Sequence, residues 1–248
     1  MNWNFTMGLI STVSLFLPIA LIIALRLSTY RSFPYLLVYY VSVFAYNLFT
    51  EGYINPGSDV IYYWGLTNNL LDAPLMLSFL TYFSTSVSFT RKMRIVTLLL
   101  LVFDVIVVIW GGFNVSILTI ILGPGLVAIL TFCLIFFVRQ TKITIMHQKA
   151  TGKALMISSL LFAYGCFSFI YLIFYVFKTK DVSNTFLIYF FVTTLSSLLM
   201  SAGLILEKKR VRKLVELKVV RKELSSLYNE PKTTIPFQKA FIDKGSAN

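Results

Sequence analysis

The amino-acid sequence predicts an all-α membrane protein: a seven-transmembrane-helix bundle with its N-terminus outside and its C-terminus in the cytoplasm. Three observations predict it. Of 248 residues, 57% are hydrophobic and 13% charged, whereas a soluble chain carries about 25% charged residues. That is too little charge to coat a water-facing surface, so lipid must solvate most of the chain. Seven apolar stretches approach the roughly 20 residues a helix needs to cross the hydrocarbon core. Lys and Arg, finally, gather on alternate sides of those stretches, as the positive-inside rule requires.

The stretches are residues 7–25, 33–50, 60–83, 93–113, 115–138, 154–177 and 182–206. They are rich in Ile, Val and Phe, but too long and too uniformly apolar for barrel strands, which alternate at every second residue. No positive charge precedes the first stretch, whereas Arg26 and Arg31 follow it. That is the reverse of a cleavable signal peptide and holds the N-terminus outside. Arg91, Lys92 and Arg94 are expected in the loop between helices three and four, and Arg139, Lys142, Lys149 and Lys153 between five and six. Lys208, Lys209, Arg210, Arg212 and Lys213 follow helix seven. The opposite loops hold only Lys178 and Lys180, with Glu51, Asp59 and Asp181. Helix four is interrupted by Asp104 and separated from helix five by a Gly111-Gly112 turn, so the alternative is six spans with that pair re-entrant. In helix five, Gly123, Pro124 and Gly125 should kink the helix or break its ladder, as a structural bend or as a hinge. In helix seven, Thr194, Ser197 and Ser201 form a small polar stripe of the kind that lets helices pack closely.

Two parts result: a transmembrane domain over residues 1–206 and a basic extension over 207–248. In the extension Leu217, Val220, Leu224 and Leu227 recur at three-four spacing, one apolar stripe on a helix that Pro231 should end. A poorly ordered tail follows from Thr233. Such a helix suits anionic lipid headgroups, where each Lys or Arg contributes about 1 kcal/mol. The alternative is a short coil joining two copies in a homo-oligomer.

The net charge of +12 lies between apolar runs and in the last forty residues, where it fixes orientation, so nucleic-acid binding is not expected. Cys133 and Cys166 both fall inside apolar stretches and read as buried, inert thiols. The single histidine, His147, has no Cys or carboxylate cluster near it, so no metal site is expected. The motifs of zinc proteases and of nucleophile elbows are absent and no histidine lies inside a span, so the chain is not expected to be an enzyme.

Ionisable residues at membrane depth are the most informative letters, because each costs about 3 kcal/mol or more to bury there. Asp72 and Asp104 lie near the middle of helices three and four. If they face one another, the pair would share a proton at neutral pH and form a proton or cation site. Asn68 and Asn69 stand one turn before Asp72, on its face of the helix. Asn47 and Glu51 are one turn apart in the outer half of helix two, and Tyr46, Tyr53, Tyr62, Tyr63 and Trp64 surround this region. Polar groups converging amid aromatics suit a small-ligand pocket. Tyr53, Tyr62 and Tyr63 read instead as the interfacial aromatic belt, and the three asparagines as pocket or interhelical hydrogen-bonding residues.

The layout resembles that of the microbial rhodopsins. Leu70-Leu71-Asp72-Ala73-Pro74-Leu75-Met76-Leu77 is similar to the family's third-helix segment, and Gly203-Leu204-Ile205-Leu206 followed by Glu207-Lys208 to its exit from helix seven. The family's retinal-bearing lysine has no counterpart: Leu199 stands in its place, and the lysines are all expected in loops or the tail. The resemblance therefore implies a rhodopsin-like scaffold with no cofactor and no light-driven pump. The functional expectation is a receptor-like or sensory protein, in the cell (inner) membrane, binding a small ligand at Asp72, Asn68, Asn69, Asn47 and Glu51. The alternative is a channel or transporter moving protons or cations through Asp72 and Asp104.

Overall fold

The computed structural model describes residues 3–147, 150–173 and 185–229. These form seven α-helices and no strand: α1 (Trp3–Ala24), α2 (Phe33–Thr50), α3 (Ser58–Leu80), α4 (Val87–Gly111), α5 (Val115–His147), α6 (Thr151–Tyr171) and α7 (Thr185–Asn229), with a 3-10 turn at Thr81–Phe83 after α3. Six of them are long and apolar enough to cross a membrane, which makes this an integral membrane protein. The helix outside that set is α3. Its apolar character is diluted by Asn68, Asn69, Asp72 and four residues of Ser58–Tyr63 that are polar or phenolic. Both α4 and α5 have full spanning length, so the short turn between them joins two complete helices.

Several helices outrun their apolar stretches. Arg91, Lys92 and Arg94 lie inside α4, and Arg139 and Lys142 inside α5, not in loops as expected. Arg and Lys are good helix formers whose long stems let the charge reach the headgroups, so nothing ends the helix at the hydrocarbon boundary. Lys153 is likewise in the first turn of α6, and it is buried. Gly123, Pro124 and Gly125 do not break α5, which is one unbroken helix from Val115 to His147. Lys149, Lys178, Lys180, Asp181, Pro231, the tail from Thr233 and the flanks of helices six and seven lie outside the described residues, as do the side chains of His147 and Leu227.

Small residues set the helix spacing. Between α6 and α7, a Cβ on Gly152 would lie 2.6 Å from the Glu207 nitrogen, and one on Gly203 would lie 3.0 Å from the Gly152 carbonyl oxygen. The two backbones thus touch where only hydrogen atoms fit, the usual device for association without a hydrophobic drive. The Ser159 hydroxyl donates to the Ser196 carbonyl (2.7 Å) about two turns further along the same seam. Gly125 on α5 packs against the methyl group of Ala73 on α3. Phe33, Phe79, Tyr82 and Phe83 build an edge-to-face aromatic core where α2 begins and α3 ends. Cys133 is buried and Cys166 half-buried, both as free thiols.

The described chain separates into two compact units, Met1–Lys208 and the segment from Lys209. Glu207, expected on the tail side, is fully buried within the first. In the second, Arg212 and Glu216 form an exposed i,i+4 ion pair (3.1 Å), a pair worth about 0.3–0.5 kcal/mol. Leu217, Val220 and Leu224 are exposed along it.

Candidate functional site

Asp72 opens onto a cavity of about 330 Å³ inside the bundle. Helical periodicity builds its wall. α2 presents Tyr39, Tyr40, Val43 and Tyr46; α6 presents Ser159, Leu160, Ala163, Tyr164, Phe167 and Tyr171; α7 presents Tyr189, Thr193, Ser196 and Ser197. Each set recurs at three and four residues, one face of a helix. α3 supplies Asn68, Asn69 and Asp72, and α5 supplies Leu122 and Leu126.

The Tyr164 hydroxyl donates to the Asp72 Oδ1 (2.5 Å), tying α6 to α3 across the cavity. Tyr171 donates to the Thr119 carbonyl on α5 (2.9 Å). On α7 the side-chain oxygens of Thr193 and Ser197 are buried without a completed hydrogen bond, although the Tyr189 and Tyr40 hydroxyls approach them.

Of the residues singled out from sequence, Asp72, Asn68 and Asn69 come together in this wall. The Asn69 amide also donates back along its own helix to the Gly65 carbonyl (2.9 Å). Asn47 and Glu51 do not join them. Asn47 is buried and accepts a hydrogen bond from Thr12 of α1 (2.6 Å), and the Glu51 carboxylate lies against Gly8 of α1. Both side chains meet α1, and partial burial raises the Glu51 carboxyl above its ordinary range. Asp104 is buried on α4 but is not part of the wall, so the proposed facing pair of acids is not formed around this cavity. Gly123 and Gly125 serve close approach: the first lies under the Tyr171 hydroxyl, the second against Ala73, next to Asp72.

Sequence reasoning passed over Tyr39, Tyr40, Tyr164, Tyr171, Tyr189 and Thr193, and set Ser197 down to packing. A usable signal existed. Belt tyrosines sit at helix ends, as Tyr62 and Tyr63 do, exposed near the start of α3. Tyr164, by contrast, lies midway along α6, where a hydroxyl needs an internal partner.

A second polar cluster lies at the other end of α6 and α7. Tyr82 donates to Glu207, and the Lys153 ammonium sits 4.3 Å from the centre of the Tyr82 ring while donating to the Tyr82 carbonyl (3.4 Å). Lys153 corrects the expectation that the lysines all lie in loops or the tail, since helix six begins early enough to enclose it. It is six positions from Ser159, the nearest wall residue on α6, which is about 9 Å of helix. Leu199, set opposite the retinal lysine by the rhodopsin resemblance, is half-buried and outside the wall.

No protein-family model, curated protein sequence or solved structure matches this chain.

Proposed function

We propose that this chain is a receptor-like membrane protein of the cell membrane that crosses the bilayer seven times, N-terminus outside, and binds a small ligand in the cavity around Asp72. The observation that carries this reading is the cavity itself. Interiors pack to crystal-like density with few voids larger than a water molecule, yet about 330 Å³ is left open beside a mid-helix carboxylate. Largely apolar, aromatic walls with a few fixed polar groups are what small-ligand sites use. With the N-terminus outside, the wall residues of α6 and α7 belong to the outer half of the bundle.

The same two helices offer a route to the cytoplasmic face. α6 carries Tyr164 at Asp72 and Lys153 at Tyr82; α7 carries Ser197 at the cavity and Glu207 at Tyr82. A ligand that shifts either helix changes both clusters. A rhodopsin-like scaffold without a covalent chromophore is compatible with this arrangement. The rival reading, a proton or cation path through Asp72 and Asp104, is less supported because Asp104 lies outside the wall.

The test is organic extraction of the purified protein followed by mass spectrometry, beside an Ala163→Trp variant that fills the cavity. A small molecule recovered from the wild type and depleted in the folded variant supports the proposal. No such molecule, together with a proton flux into proteoliposomes that Asp72→Asn abolishes, would replace it with the transport reading.

A further inference from the structure

We infer that the cavity takes a small organic ammonium ion, its charge held by Asp72 and its alkyl groups by the faces of the surrounding tyrosines. This rests on the ligand-binding reading above and names the chemical class of the ligand. Asp72 is the one acidic side chain among the described wall residues, and no Lys, Arg or His accompanies it there. Its hydrogen bond comes from a phenol, a neutral donor that leaves the charge unbalanced. A carboxylate at membrane depth requires a counterpart, which must be a proton, a metal ion or a larger cation.

Size and ligand type decide among the three. A hard metal ion wants about six oxygen ligands at close range, and no group of three or more His, Cys, Asp or Glu occurs among the described residues. A proton or a bare ion would occupy only a small part of the 330 Å³ and leave the rest to water. An organic cation both balances the carboxylate and occupies the space.

The walls agree. Tyr39, Tyr40, Tyr46, Tyr164, Tyr171 and Tyr189 line the cavity from α2, α6 and α7. An aromatic face carries negative potential, attracts cations most strongly where water is excluded, and in cages recognises quaternary ammonium groups. Thr193 and Ser197, 5% and 1% exposed, bring buried hydroxyls to the α7 side, beside those of Tyr189 and Tyr40. They suit an ammonium that carries a hydroxyl or carbonyl group a few bonds from its nitrogen.

The experiment is calorimetric titration of the purified full-length protein with tetramethylammonium, choline and benzyltrimethylammonium. In parallel it is titrated with 3,3-dimethylbutan-1-ol, the uncharged isostere of choline. At least one ammonium should bind, and choline should bind about tenfold or more tightly than the alcohol, with a similar loss in Asp72→Asn. Tyr46→Leu, which leaves the carboxylate in place, should weaken binding by roughly threefold or more. Equal binding of choline and its isostere would overturn the cation inference while leaving a ligand cavity intact. Binding of none of these probes would overturn it too, and the extraction experiment would then judge the cavity separately.

Discussion

The hydroxyl of Tyr82 donates a hydrogen bond to the carboxylate of Glu207, a side chain wholly withdrawn from solvent where the sequence turns basic. The acceptor sits on α7 and the donor in the turn that ends α3, 125 residues apart in the chain. Lys153 of α6 covers the ring of the same tyrosine. One tyrosine thus joins three helices through its hydroxyl, its ring face and its main-chain carbonyl.

Removing the hydroxyl should be costly in a specific way. Tyr82→Phe keeps the ring beneath Lys153 but withdraws a donor from a buried carboxylate, an expected loss of about 1–3 kcal/mol. Glu207→Gln keeps an acceptor for Tyr82 and should cost less than Glu207→Ala. Thermal unfolding in detergent checks the order, and equal stability of the Gln and Ala variants would remove the hydrogen bond from the account.

The α6–α7 seam makes a steric prediction. A methyl group at Gly152 would collide with the backbone of Glu207, which cannot swing aside as a flexible side chain would. Gly152→Ala should therefore lower stability by about 1–3 kcal/mol. Gly165→Ala on the same helix meets nothing within 4 Å and serves as the control. Matching midpoints for the two variants would show that the seam is loose.

Much of the architecture was legible in the sequence, because hydropathy reports directly on which solvent a helix faces. All seven helices were expected, and Asn68, Asn69 and Asp72 share a wall because three-four spacing puts them on one face. Other features depend on which helix stands next to which, and spacing along one helix does not encode that. Asn47, expected in the ligand site, pairs with Thr12 across to α1, and Asp104, expected to share a proton or cation with Asp72, does not line the cavity. Glu207 read as the start of a tail because it adjoins Lys208 and Lys209, yet the packing of Gly152 against its backbone encloses it.

Orientation can be checked by labelling. In a background without Cys133 and Cys166, a cysteine at Asp59 should react with an impermeant maleimide in intact cells, and one at Lys149 should react only after permeabilisation. The positive-inside pattern of Arg26, Arg31, Arg91 and Arg139 motivates this expectation. Reaction at Lys149 in intact cells would invert the topology.

The extension of α7 carries Leu217, Val220 and Leu224 exposed in the single chain. If that stripe rests on anionic headgroups, replacing these three and Leu227 by Ser should raise the protease sensitivity of the extension in liposomes without changing oligomeric state. Loss of a dimer on the same change would favour a coil between two copies.

The last prediction concerns Asp72 and Tyr164, whose side chains meet at 2.5 Å. Tyr164 is almost fully buried, so its hydroxyl gains little from water; it donates to the Asp72 carboxylate, and the Tyr39 hydroxyl stands beside it. Tyr164→Phe leaves the ring in the wall and removes a donor to a charged acceptor, a bond worth about 1.5–3 kcal/mol. Asp72→Asn keeps the shape and an acceptor oxygen for Tyr164, but removes a charge that the described wall does not balance. It should therefore fold, melt at or above the wild-type temperature, and lose ligand binding, the trade-off expected where a site is held at a cost to stability. In Asp72→Leu, the further change Tyr164→Phe should be nearly neutral, because the partner is already gone. The coupling energy of that cycle should reach about 0.5–3 kcal/mol. A cycle that adds with no coupling would mean the short contact contributes nothing to stability. An Asp72→Asn protein that binds as the wild type does would reduce the carboxylate to packing, and the cavity would need another anchor.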